Sequence, residues 1–441
     1  MVIEIPGQKK SVVKSIIHSK RFSRFLRILG PGLVTGAADD DPSGIATYSQ
    51  AGATFGMSLL WVFPLLYPLL LAVQETCARI GAIKGMGLAE VIKTNYNRKL
   101  LYFAVGLVVV ANTINIGADI GAMAASAKLV IGGPYVVYAI VIALTTVILQ
   151  LTTPYKKYAK ILKWLAITLF AYPITALIVN TSWGEVVKAT FSIPTHISKD
   201  EIYLIVGLIG TTISPYLFFW DTSEVVEEEI SKHRIYQEGN TPKVTKRFLK
   251  SVRTDNFVGM SLANITAWFI VVVCATVLFK NGGAPIQSAA DAAKALEPLV
   301  QNFPHSGLIA KSIFSFGIIG LGFLAVPVLA GSSSYAISEA MGWREGFHRK
   351  FKKAPGFYVT ILIATLVGLL INFLGIDPIK ALVFTAVCNA IAAIPLLLII
   401  FFIARNKNIM GEYKSGVISQ VFVMSAFVVL LVSSVLLFLS F

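Results

Sequence analysis

Charged residues are scarce in this chain: they make up 14% of the 441 residues, whereas 56% are hydrophobic. A soluble protein with this balance would expose large apolar patches and aggregate. Lipid suits such a chain better, because apolar runs of about 20 residues cross a bilayer as helices. The composition therefore predicts an all-α integral membrane protein in a lipid bilayer.

Cysteine is also rare, and Cys77, Cys274 and Cys388 each stand alone in the sequence. Without CxxC pairs or Cys/His spacings, neither a zinc site nor a disulfide framework is indicated. The sequence likewise shows no HExxH motif, no P-loop and no nucleophile–base pair. We therefore expect no enzymatic activity and no bound cofactor.

Acidic residues are outnumbered by basic ones, 23 to 38, which gives a net charge of +15. A nucleic-acid partner would require these charges on one face of a folded domain. They lie instead between the apolar runs, so we expect no nucleic-acid partner. Residues 1–28 form a basic N-terminal segment with interleaved apolar residues, typical of a cytoplasmic tail or of a helix on the membrane surface.

Eleven apolar spans follow this tail. If the N-terminus is cytoplasmic, all but seven of the 38 Lys and Arg residues fall on the cytoplasmic side, as the positive-inside rule requires. The sequence therefore predicts a multi-pass protein of the cell membrane with a cytoplasmic N-terminus and an extracellular C-terminus. The predicted spans cover residues 29–54, 58–82, 101–127, 134–153, 161–180, 202–226, 255–279, 307–340, 356–374, 380–403 and 416–441.

Three of the connecting loops are long. The cytoplasmic loop at 227–253 is rich in Glu and then in Lys, which predicts a solvated charged connector. The external loops at 181–201 and 280–306 are polar enough to be mobile lids or simple connectors.

The first span is interrupted in its middle. It carries Asp39, Asp40 and Asp41, followed by Pro42 and then Gly44. Charges at the bilayer centre cost several kcal/mol, and proline removes a backbone donor. We therefore expect the backbone to unwind near 41–44, which is tolerated only where it is buried in protein or lines a watery cavity.

The sixth span is interrupted in the same way by Ser214-Pro215, among small and hydroxylated residues. Asp41-Pro42 and Ser214-Pro215 each resemble an N-cap followed by proline at the first helical position. The carbonyls that end the preceding half-helices suit a cation. Two ordinary proline kinks would give the same pattern, but paired breaks at corresponding positions indicate a transport site at the midplane.

This symmetry predicts two inverted repeats of five helices each, over residues 29–180 and 202–403, with an additional helix at 416–441. Five is an odd number, so the second repeat enters the membrane with the opposite orientation. Alternating access would then be a rocking of one helix bundle against another around a fixed site.

Several of these motifs resemble those of the Nramp family of divalent-metal transporters. The resemblance implies a LeuT-type fold of ten core helices plus an eleventh, with a divalent metal ion as substrate. It rests on Gly30-Pro31-Gly32, Asp41-Pro42-Ser43-Gly44, Gln74 with Ala78-Arg79-Ile80-Gly81, Gly87-Leu88-Ala89-Glu90, Ala118-Asp119-Ile120, Gly210 to Pro215, and Ala381-Leu382-Val383.

Several positions depart from the usual family pattern. Gly44 stands where the family has an Asn ligand, and Ala386 stands where a Gln ligand is expected. The family Met falls on Ser214 or, with a shift of one residue, on Ile213; its Ala falls on Thr211. Thioether sulfur favours transition metals, whereas oxygen ligands favour Mg²⁺ and Mn²⁺. Mg²⁺ retains several waters around one or two carboxylates, so such a site suits a largely hydrated Mg²⁺. The same departures resemble the pattern of the Nramp-related magnesium transporters more closely than that of the iron and manganese branch.

Asp41 is the predicted cation ligand, with Gly44 contributing its backbone or only space. Thr211, Thr212 and Ser214 would bind through carbonyls or hydroxyls, or would only hydrogen-bond between helices. Four further residues would line the pathway or support the site: Asp40, Asp119, Tyr216 and Asp221.

Proton coupling is predicted to be weak. Ala122 replaces the family's Glu in the third span, Tyr216 and Asp221 occupy the histidine places, and all five histidines fall in predicted tails or loops. We therefore expect facilitated uptake of largely hydrated Mg²⁺, with Mn²⁺ also carried. The alternative is a proton-coupled Mn²⁺ or Fe²⁺ transporter.

An amino-acid carrier fits less well, because Asp41 would repel a carboxylate. The oligomeric state is open, and a monomer is compatible with the sequence.

Overall fold

The computed structural model describes residues 35–36, 38–153, 170–239, 242 and 244–440. The predicted tail at 1–28, the start of the first span and residues 161–169 of the predicted fifth span lie outside the described residues. All regular structure within the described ranges is helical.

The helices are numbered here in chain order, and most of them match a predicted span. Three-residue 3₁₀ turns accompany them at Phe279–Asn281, Lys294–Leu296, Phe351–Lys353 and Gly411–Tyr413. The helices are α1 (Pro42–Phe55), α2 (Val62–Lys84), α3 (Leu88–Asn95), α4 (Arg98–Ile131), α5 (Tyr135–Thr152), α6 (Ala171–Ile178), α7 (Trp183–Thr190), α8 (Lys199–Thr212), α9 (Pro215–Ser231), α10 (Lys246–Val277), α11 (Ala289–Ala293), α12 (Glu297–Val300), α13 (Ser306–Met341), α14 (Pro355–Ile371), α15 (Pro378–Arg405), α16 (Lys407–Met410) and α17 (Val417–Ser440).

Seven segments of the described chain are long and apolar enough to cross a membrane. They are α4, α5, the α8–α9 pair, α10, α13, α15 and α17, and α14 is a shorter apolar helix. The chain is thus a multi-pass membrane protein, while the number of eleven spans stays a prediction.

The prediction of a solvated charged connector at 227–253 is wrong over most of its length, since residues 227–231 end α9 and Glu229 and Ile235 are buried. α10 begins at Lys246, so most of the Lys-rich part is helical. Phe248 and Val252 stand four residues apart on one face of this helix and are buried against Ala78, Ala82 and Val225. Two apolar residues among many charges therefore give the segment a buried face, and the helix extends beyond the membrane-spanning part.

The segment at 280–306, predicted as an external loop, is packed against the rest of the protein. The Ile286 N–H donates to Oε1 of Gln50 in α1, over 2.9 Å. Ala289, Ala292 and Leu296 of the same segment are buried. The segment, predicted as a lid or connector, therefore covers the C-terminal half of α1.

The centre of the molecule is built around α1. This helix packs against α8, α10 and α15, while α4 runs along α13, α14 and α15. At Gly210 the backbones of α8 and α15 touch: a Cβ there would lie 2.0 Å from the Ala386 carbonyl oxygen. Only glycine permits this approach, which holds the end of α8 against α15 and beside α1.

Candidate cation site

The first break lies just before α1. The described residues from 35 to 39 are helical, Asp40 forms a bend, and Asp41 is extended, with φ −68° and ψ 171°. Pro42 then starts α1, because its fixed φ suits the first helical position and its missing N–H is not needed there. The predicted break is confirmed, but it is shorter than expected: Gly44 lies inside the first turn of α1 and is not unwound.

The Asp41 side chain caps α1 and is buried, with 1% of its surface exposed. Its Oδ1 accepts from the Gly44 N–H over 2.7 Å and from the Ser43 hydroxyl over 2.6 Å. Its Oδ2 accepts from Nδ2 of Asn115 over 3.1 Å. A carboxylate held by three donors keeps one fixed orientation, and this one is presented at the N-terminus of a helix.

The second break separates α8 from α9. α8 ends at Thr212, Ile213 and Ser214 leave the helical conformation, and Pro215 starts α9. Ser214 occupies the N-cap position, but its side chain makes no capping hydrogen bond. Its hydroxyl turns back to the carbonyls of Gly210, at 2.8 Å, and Thr211, at 2.7 Å. The prediction that Ser214 caps α9 is therefore correct for position and wrong for the side chain.

The two breaks touch each other. The Tyr216 hydroxyl, at the start of α9, donates to the Ala38 carbonyl over 2.9 Å. A Cβ on Gly44 would lie 3.1 Å from the Thr211 hydroxyl oxygen, which itself has no hydrogen-bond partner although it is buried. The Thr212 hydroxyl bonds to the Leu208 carbonyl of its own helix, 2.7 Å away. The unpaired Thr211 hydroxyl oxygen thus faces the first turn of α1 at Gly44, whose N–H donates to the Asp41 carboxylate.

The third predicted span, now α4, closes the site on another side. Asn115 and Asp119 are both fully buried and stand four residues apart on one face of α4. Asn115 donates to Asp41, and Asp119 lies within electrostatic range of Asp41 with both of its oxygens unpaired. Asn115 is not among the residues predicted from the sequence. The available signal was an amide one turn before Asp119 in an apolar helix.

Two other predicted pathway residues, Asp40 and Asp221, differ in their distance from this centre. Asp40 is 2% exposed, so here it lies buried beside Asp41 and not on an open pathway. Asp221 lies on α9, beyond Tyr216, and accepts from the Thr35 hydroxyl at 3.4 Å and from Nδ2 of Asn256 at 3.0 Å. The structure therefore groups Asp221 with α10 and with the stretch before the first break.

The sequence profile of the family described as natural resistance-associated macrophage protein-like, or Nramp, matches residues 32–440. The chain belongs to the Nramp family. The divalent metal cation transporter MntH of Caldanaerobacter subterraneus is 27% identical over 459 aligned positions, covering 99% of this chain and 98% of the relative. MntH of Klebsiella pneumoniae is 26% identical, covering 88% of this chain and 87% of the relative.

Solved structures agree on the fold of this Nramp protein. A manganese transporter of Eremococcus coleocola superposes with a TM-score of 0.74 at 15% identity, covering 98% of this chain and 88% of that one. MhsT with bound L-phenylalanine gives 0.62 at 12% identity, covering 93% and 98%. Mhp1, a nucleobase-cation-symport-1 family transporter, gives 0.57 at 11%, covering 94% and 93%. The predicted LeuT-type fold with broken first and sixth helices is confirmed.

The two breaks of this Nramp protein supply oxygen and no sulfur. Residues 38–44 and 211–216 contain no Met or Cys. Whether Ile213 or Ser214 occupies the position of the family's Met, that position therefore carries no sulfur ligand. Ile213 is fully buried at the end of α8. The arrangement is suited to a hard cation held by a carboxylate, hydroxyls and carbonyls.

Proposed function

We propose that this Nramp protein is a secondary transporter of divalent metal cations, with largely hydrated Mg²⁺ as its main substrate and Mn²⁺ also carried. The observation that supports this most is the buried Asp41 carboxylate, set between two helix breaks that offer only oxygen ligands. The related MntH proteins are divalent metal cation transporters, which supports the broader class of substrate.

The preference for Mg²⁺ rests on the pairing of Gly44 with Thr211. A side chain at position 44 would press on the Thr211 hydroxyl, at 3.1 Å, and on the Tyr48 ring, at 3.2 Å. The glycine therefore leaves the Thr211 oxygen unobstructed, in the space that an Asn at position 44 would need. A site with one carboxylate, hydroxyl oxygens and no thioether favours Mg²⁺ and Mn²⁺ over softer metals.

We also propose that transport is facilitated and not coupled to protons. The four histidines of the described chain, His196, His233, His305 and His348, lie outside the helices. A relay near neutral pH would then depend on buried carboxylates. Asp119, with two unpaired oxygens, is the residue that favours the alternative, a proton-coupled Mn²⁺ or Fe²⁺ transporter. An inside-negative potential of 100 mV favours entry of each positive charge by about 2.3 kcal/mol, so uptake needs no further driving force.

The test is uptake into liposomes that contain separate Mg²⁺ and pH indicators, with the membrane potential clamped. We expect Mg²⁺ to enter through the wild type and not through Asp41→Ala, while the internal pH stays constant. Asp291→Ala is the matched control, because Asp291 is a carboxylate of the external segment that pairs with Lys294. This control should transport like the wild type.

Two results would contradict the proposal. Uptake of Mn²⁺ or Fe²⁺ with acidification, and none of Mg²⁺, would establish the proton-coupled alternative. Equal Mg²⁺ uptake by the wild type and by Asp41→Ala would remove Asp41 from the site.

A further inference from the structure

We infer that Asn115 is a cation ligand and a determinant of affinity at this site, supplied by α4 in place of the side-chain amide that position 44 lacks. The inference rests on the proposed function, since it assigns a further ligand to the same site. Asn115 is fully buried in the middle of α4, 74 residues away from Asp41 in the sequence.

The first step is the geometry at Asp41. Nδ2 of Asn115 donates to Oδ2 of Asp41 over 3.1 Å, and Oδ1 of Asn115 has no hydrogen-bond partner. The two polar atoms of an amide share one carbon atom, so a half-turn of the amide exchanges their places and would bring the unpaired oxygen beside the same carboxylate. A buried carbonyl oxygen without a partner lowers stability unless another group or ion satisfies it.

The second step is a comparison within α4. Asn112 is also fully buried, and its Oδ1 is unpaired as well. Its Nδ2, however, donates to the Leu329 carbonyl at 3.1 Å and to the Ser333 hydroxyl at 3.0 Å, which holds α4 against α13. An unpaired oxygen alone therefore does not mark a ligand. The distinguishing feature of Asn115 is that its amide faces the carboxylate of the proposed site.

The third step is the chemistry of the ligand set. Thr211 Oγ1 and Asn115 Oδ1 are both buried, unpaired oxygens; the first faces Gly44 in the first turn of α1, and the second belongs to the side chain that holds Asp41. An amide oxygen is a hard ligand that suits Mg²⁺ and Mn²⁺. When the site is empty the amide N–H₂ holds Asp41, and when a cation arrives a rotation of the amide presents Oδ1 to it.

The experiment is calorimetric titration of the purified full-length protein with Mg²⁺ and with Mn²⁺. Four variants are compared with the wild type: Asp41→Ala, Asn115→Ala, Asn115→Asp and Asn112→Ala. We expect Asn115→Ala to weaken binding by about 10-fold or more, the effect of removing a group that supports a metal site. Asn115→Asp keeps a ligand oxygen and should bind as the wild type does or more tightly. Asn112→Ala should lower the melting temperature without changing Kd.

Each contrary result has one meaning. If Asn115→Ala binds normally, or if Asn112→Ala weakens binding equally, Asn115 is a packing residue and the inference is wrong. The same holds if Asn115→Asp binds as poorly as Asn115→Ala, because the oxygen then does not matter. If Asn115→Ala does not fold, Asn115→Leu, which is close to Asn in size, takes its place. A wild type that binds neither cation, or an Asp41→Ala that binds both, overturns the proposed function itself and the inference with it.

Discussion

The two helix breaks begin with the same local pattern and end with different roles. Asp41 and Ser214 each precede a proline that starts a helix. Asp41 directs its side chain forward and caps the new helix, whereas Ser214 directs its hydroxyl backward to the carbonyls of the previous one. In the proposed site, the first break would contribute the charge and the second would contribute neutral oxygens. We expect the two breaks to respond differently to substitution.

The largest effect should come from Asp41→Asn. Asn is as good an N-cap as Asp, so α1 should still form, and the melting temperature should not fall. The charge is lost, however, and Mg²⁺ uptake should drop roughly 100-fold or more, beyond the effect of removing a supporting residue. Liposome uptake and thermal melting of the same preparation measure both properties. Retained uptake would show that the cap, and not the charge, is what the first break provides.

A second large effect is expected at Gly210→Ala, in the helix that leads into the second break. The new Cβ would lie 2.0 Å from the Ala386 carbonyl oxygen, and overpacking of this kind costs about 1–3 kcal/mol or more. Gly207→Ala is the matched control one turn earlier, where the nearest atom, Cγ2 of Thr47, would be 3.2 Å away. The melting temperature of Gly210→Ala should be well below that of Gly207→Ala. Equal stability would mean that α8 and α15 are less closely packed.

A third test concerns a buried carboxylate outside the two breaks and its effect on the pH dependence of stability. Glu345 lies between α13 and α14, and burial, with a smaller effect of Glu339, raises its pKa well above the ordinary value. Because the folded state favours the protonated form, stability is lost as the pH rises through the raised pKa. Glu345→Gln should therefore raise the melting temperature at pH 8 more than at pH 5. Glu412→Gln, at an exposed position, should leave the profile unchanged. If the melting temperatures of Glu345→Gln and the wild type changed in parallel with pH, the predicted effect of the Glu345 carboxyl would be contradicted.

The smallest effect should come from Ser214→Ala. The substitution removes two hydrogen bonds to the end of α8, which contribute about 1 kcal/mol each. The substitution also frees these two carbonyls as acceptors and leaves Asp41 in place, so the Kd for Mg²⁺ should stay close to that of the wild type. Calorimetric titration of Ser214→Ala and Asp41→Asn with Mg²⁺ compares the contributions of the two breaks to Kd directly. A loss of binding comparable to that of Asp41→Asn would make the Ser214 hydroxyl a ligand.

The two breaks could be predicted from local sequence, because the prolines after Asp41 and Ser214 interrupt the helix through their own missing N–H and fixed φ. The direction of the Ser214 hydroxyl could not be predicted, since a serine bonds equally well to a carbonyl three or four residues earlier. The contact between Asn115 and Asp41 joins distant parts of the chain, and a single sequence carries no sign of it. The helix at Lys246 was hidden for a similar reason: its buried face depends on Ala78 and Ala82 of another helix.

The hydrogen bond between Tyr216 and Ala38 has a mechanical consequence. It joins the piece before the first break to the piece after the second. The two pieces flank Asp41, and neither can move away from the other at this point without breaking that hydrogen bond. Any rearrangement that separates the two pieces must therefore break a buried hydrogen bond, which contributes about 0.5–1.5 kcal/mol.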